Sequence, residues 1–125
     1  MKIVVFGPER RVGALRSDQV VDLSLGYAKY LKERQNDRQP TRLAAAMVPS
    51  DLARFIEGGQ RSLELANAGL DHLFGNVQDQ LGTNGEVLLH KASEVRLHAP
   101  RPDGSRIACA GGNFADHLAG MAAMG

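Results

Sequence analysis

Lys2-Ile3-Val4-Val5-Phe6-Gly7-Pro8-Glu9-Arg10-Arg11-Val12-Gly13-Ala14-Leu15-Arg16-Ser17-Asp18-Gln19-Val20-Val21-Asp22-Leu23 is the stretch on which the fold turns. Residues 2–6 are rich in β formers and Gly7-Pro8-Glu9-Arg10 has the composition of a turn. Residues 11–16 resume as a strand, and Ser17-Asp18 turns the chain into 19–23. Short strands joined by tight turns make a small antiparallel meander. Ile3-Val4-Val5-Phe6-Gly7 could also open a dinucleotide-binding unit, but Pro8 follows and the G-x-G-x-x-G spacing never appears before a helix. That class is excluded.

Downstream, Ser24 is placed to cap a helix over 24–34 with Tyr27, Tyr30 and Leu31 inside and Lys29, Lys32 and Glu33 outside. Residues 35–41 are polar, contain Pro40 and read as a mobile loop or insertion. Ser50 and Asp51 offer a cap for a long apolar stripe through Leu52, Phe55, Ile56, Leu63, Ala66, Leu70, Leu73 and Phe74. Gly58-Gly59 splits or kinks that helix, and Gly75-Asn76 stops it. Gly82-Thr83-Asn84-Gly85 is a turn between the helix and two further strands, 86–90 and 94–99, the second with Val95 and Leu97 alternating against Arg96 and His98. After a turn over 100–105, residues 106–110 read as a buried strand. The expected fold is α+β: a small antiparallel β meander with packed helices and a returning β segment.

The chain has 125 residues, enough for one domain with a real core. With 43% hydrophobic and 23% charged residues it is globular, and a formal charge of +1 gives no drive toward nucleic acid or an anionic membrane. No apolar run is long enough to span a bilayer, and the N-terminus lacks the features of a signal peptide, so a cytoplasmic location is expected. The single cysteine, Cys109, is expected as a buried structural thiol, with Arg106 on the opposite strand face and unable to activate it. His90 and His98 have no metal-ligand spacing and are assigned no metal role.

One segment carries chemistry. Gly111-Gly112-Asn113-Phe114-Ala115-Asp116-His117 is a glycine turn leading toward a helix with a histidine one turn in. Asn113 can cap that helix and Asp116 sits in its first turn, which explains both residues without a catalytic role. His117 is well presented for proton transfer.

Together with Leu97-His98-Ala99-Pro100, the Pro102-Asp103-Gly104-Ser105 turn and Arg106-Ile107-Ala108-Cys109, this segment resembles the start of the catalytic domain of the fumarylacetoacetate hydrolase family. Arg11-Val12-Gly13-Ala14-Leu15 and Gln19-Val20-Val21-Asp22-Leu23 are similar to the small β-containing region that precedes it. The resemblance implies metal-assisted chemistry on 2-oxo or 1,3-dicarbonyl acids: hydrolytic C–C cleavage, decarboxylation or isomerisation. It implies Mg²⁺ or another divalent cation chelated by the substrate, His117 as general base or proton shuttle, and Asn113 and Phe114 as substrate-binding residues. Phe114 stands where tyrosine is usual.

Two departures matter. Members with a His-x-x-Glu pair polarise the histidine with the acid, whereas His117 is followed three positions later by Gly120. No Glu-x-Glu, the pair that holds the family's metal, occurs in the sequence. Residues 118–125 are apolar and uncharged, a pattern that invites fraying or self-association into a homo-oligomer. The resemblance therefore implies an N-terminal α+β domain over 1–99 and the start of a truncated catalytic domain over 100–125: an N-terminal portion of such an enzyme, inactive alone, that binds no metal tightly and takes a downstream catalytic domain as its partner. The alternative is a non-catalytic protein-interaction module using its β face or the helix over 52–74.

Overall fold

The computed structural model describes residues 1–75, 79–110 and 120. β1 (Lys2–Phe6), β2 (Arg11–Arg16) and β3 (Gln19–Asp22) form the meander in antiparallel register, with Val5 opposite Val12 and Gly13 opposite Asp22. Ser17 takes φ 56°, the left-handed conformation that a two-residue hairpin between right-twisted strands demands. Four helices follow, α1 (Leu23–Gln35), α2 (Pro40–Met47), α3 (Leu52–Glu57) and α4 (Gly59–Gly75). The chain then returns to the sheet as β4 (Leu89–Lys91) beside β3 and β5 (Leu97–His98) beside β1, giving the order β4-β3-β2-β1-β5. The fold is α+β with every strand pair antiparallel.

Alternation along the meander sends two sets of side chains to opposite faces. On one face Val5, Val12 and Ala14 pack with Leu23, Tyr27 and Leu31 of α1 and with Leu52 and Phe55 of α3. Val21, from the same face of β3, joins Leu73 and Leu88 in a second cluster. α4 packs closely on α1 at Gly69: a Cβ there would lie 2.9 Å from Tyr27 Cα, so only glycine fits.

The opposite face holds Phe6, Gly13, Val20 and His90. β1 and β4 are separated by β2 and β3, yet the Phe6 and His90 rings stand 5.4 Å apart. The sheet is curled around this face, and the bare backbone of Gly13 lets Phe6 lie across β2 toward Val20.

Several expectations are corrected. Asp22, not Ser24, caps α1, accepting from the Leu25 amide at 3.0 Å while Ser24 is buried in the first turn. A carboxylate at the last strand residue reaches the free amides and gains from the helix dipole. Lys29 is buried rather than outside. The stretch read as a loop already contains the first two residues of α2, because Pro40 at N1 supplies a fixed φ and needs no donor. Ile56, expected on the apolar stripe, is 58% exposed, since α3 ends at Glu57 and α4 leaves in another direction at Gly59, whose φ is 57°.

The returning strands are shorter than their sequence patterns, and residues 106–110 are not a strand at all. They are exposed, as is Cys109, and Ile107 is 77% exposed. β propensity is realised only against a partner strand, and the meander's two edges are already taken by β4 and β5. No described helix is long and apolar enough to cross a membrane.

Candidate functional site

Asn113, Phe114 and His117 lie outside the described residues. Gly120, the position of the expected acid, is helical and exposed, and a Cβ built on it would meet nothing within 4 Å. Three other features of the described residues bear on function.

The first is a cleft of about 520 Å³ at the open end of the curled sheet, between the Gly7–Arg10 turn, the start of α1 and the approach to β4. Its polar centre follows from strand register. Gly13 pairs with Asp22, which makes Arg11 and Asp22 diagonal neighbours on one face. The Arg11 guanidinium donates from Nε at 2.5 Å and from NH2 at 3.1 Å to the two Asp22 oxygens, one of which also accepts the α1 cap bond. Asp22 is 2% exposed and Arg11 partly exposed, so this is a half-buried bidentate pair. The hydrogen bond to Asp22 raises the Arg11 pKa, burial opposes it, and Glu9 and Glu86 add to it from the rim. Burial works against the Glu86 charge, but hydrogen bonds from its own amide and from Asn84 hold its carboxyl below the usual range. Both Asp22 oxygens are engaged, so the pair fastens β2 to the β3–α1 junction and is not a free binding group.

The second is a charge network on the far side of α1. Lys29 Nζ contacts Glu33 at 2.7 Å and Asp79 at 3.1 Å and donates to the Leu81 carbonyl at 2.9 Å. His72 of α4 meets the other Glu33 oxygen at 2.7 Å and sits edge-on to Tyr30. Burial alone would lower the Lys29 pKa, but its bonds to Glu33 and Asp79 raise it above the usual value. Glu33 and Asp79 are held below theirs, Glu33 against burial by Lys29 and His72, and Asp79 by Lys29 and the Leu81 amide. The network pins the chain after α4 to α1.

The third is a groove of about 350 Å³ lined by Ile3, Leu52, Phe55, Ile56, Leu63 and Pro100, with almost no polar surface. It lies where β1, α3 and α4 meet the start of the downstream chain.

The sequence passed over all three. Lys29 and Glu33 stand four apart, a spacing that signals an ion pair on a helix. Opposite charges at 11 and 22 inside β runs signal a cross-strand pair once the hairpin register is known. Nothing local announces the groove, because its walls come from separate elements.

Among the described residues no group of three or more His, Cys, Asp or Glu side chains could hold a metal ion. His90 packs on Phe6, and His98 Nε2 lies 2.7 Å from the Gly7 carbonyl. No protein-family model, curated protein or solved structure matches the chain.

Proposed function

We propose that this chain is the N-terminal portion of a fumarylacetoacetate hydrolase-like enzyme acting on 2-oxo or 1,3-dicarbonyl acids. His117 transfers the proton, and Asn113 and Phe114 lie on the substrate side. The carrying observation is the ordered string from Leu97 through Pro100 and Cys109 to Asn113 and His117. A cored α+β body over residues 2–98, closed by β5 against β1, followed by an exposed 106–110, supports a division near residue 99. A histidine titrates near neutrality and serves as acid or base without large tuning.

In this reading a divalent ion, when bound, would supply stabilisation of the negative charge that develops on the substrate oxygens. A hard cation needs several converging oxygens, and among the described residues no three His, Cys, Asp or Glu side chains gather to offer them. The carboxylates would come from a downstream catalytic domain, in a cytoplasmic enzyme inactive without it. The test is expression together with the coding sequence that follows Gly125, assayed on acylpyruvates and other 2-oxo acids. Turnover that falls about 10²–10⁴-fold in His117→Ala supports the reading. No turnover, or turnover unchanged in that variant, overturns it.

A second reading, a non-catalytic protein-interaction module, is favoured by one feature, the apolar groove with Ile56 58% exposed at its wall.

A further inference from the structure

The groove between β1, α3 and α4 offers almost no polar surface, so a charged or strongly hydrated occupant is excluded by desolvation. Its floor is firm, since Leu52 is 7% and Phe55 4% exposed, whereas Ile56 stands free at its wall. Pro100 forms part of the lining, and the chain leaves it through the mostly exposed residues 101–110.

What lies at the other end of that tether matches the groove. Phe114, Leu118 and Met121 fall at i, i+4 and i+7, the spacing of one helical stripe, and 118–125 carries no charge. Gly120 is helical, and its exposure agrees with its place off that stripe. From Pro100 to Phe114 the chain can span up to about 46 Å, so reach does not limit docking. Covalent linkage over so few residues also supplies an effective concentration in the millimolar range. Methionine adapts to an irregular apolar wall.

We infer that the groove formed by Ile3, Leu52, Phe55, Ile56, Leu63 and Pro100 seats the Phe114/Leu118/Met121 stripe of the same chain as a helix in a groove. The body would thereby hold the His117 segment against its own surface. This stands apart from the reading above, because it concerns where the segment sits and not whether His117 transfers a proton.

The test is nuclear Overhauser spectroscopy on residues 1–125 with ¹³C-methyl labels on methionine and isoleucine, read beside a mixed sample of labelled and unlabelled chains. Intrachain contacts from Met121 to Ile3, on the opposite wall of the groove from Ile56, are expected. Ile56→Asp should abolish them while keeping the circular-dichroism spectrum, since Ile56 is exposed. Contacts found only between chains would make a second copy the occupant and overturn the inference. Absent contacts, or contacts that persist in Ile56→Asp, would also overturn it. Turnover does not enter this experiment, so its failure is distinct from failure of the enzymatic reading.

Discussion

The Phe6 ring lies against Gly13 so closely that a Cβ on Gly13 would stand 2.8 Å from its Cε1 and 2.9 Å from Val20 Cγ1. Both neighbours are buried, and neither is the loose end of a flexible side chain. Gly13→Ala should therefore destabilise the fold by about 1–3 kcal/mol through overpacking, measured by urea denaturation. Phe6→Leu in the Gly13→Ala background should recover part of the loss. Equal stability of wild type and Gly13→Ala would contradict the curled packing.

Asp22 does two jobs that substitution can separate. Asp22→Asn keeps an N-cap oxygen for the Leu25 amide but loses the charge facing Arg11, and Asp22→Ala loses both. The cap is worth about 1 kcal/mol and a charged hydrogen bond about 1.5–3 kcal/mol. The alanine variant should be the less stable by about the cap's share. Chemical denaturation of the two variants side by side reads the difference.

The Lys29 network sets a pH dependence of known sign. Glu33 and Asp79 have folded pKa values below their unfolded ones, so their contribution is present above the usual carboxylate range. It is lost as pH falls through the lowered folded values. Lys29 has a raised value, so its contribution is present below the ordinary lysine range and lost only as pH rises above it. Lys29→Met should cost about 2 kcal/mol near neutrality and flatten the fall in melting temperature below about pH 4.5. A variant melting curve that tracks wild type through acid would remove the network's role.

Cys109 is exposed and should react stoichiometrically with a disulfide reagent in the native protein, at a rate close to that of the denatured chain. Strong protection that urea relieves would show the thiol to be buried.

A calorimetric Mg²⁺ titration of residues 1–125 should show no saturable binding in the micromolar range. Such binding would mean that a carboxylate cage exists within this sequence and would overturn the proposed dependence on a downstream domain.

Local chemistry was enough for much of the body. The 2–6, 11–16 and 19–22 strands, the Gly7–Arg10 and Ser17-Asp18 turns, the Asp51 cap and the break at Gly58-Gly59 are each written in a few adjacent residues. Pro40 is ambiguous in sequence because proline opens a helix as readily as it interrupts one. Residues 106–110 carry a strand-like pattern without forming a strand, because an apolar run becomes one only when it pairs with a neighbour. Of the candidate site, Asn113, Phe114 and His117 were legible only as a motif.

The sequence by itself determined the meander, the α+β class and the glycine-rich string that ends at His117, because turn residues, caps and period are short-range properties. Only the tertiary structure decided that Lys29 is buried, that Arg11 locks onto Asp22, that Phe6 reaches His90 across Gly13, and that Ile3, Leu52, Ile56 and Pro100 share one groove. Those pairings join residues far apart in the chain, and sheet curl and helix crossing, not local preference, bring them within reach.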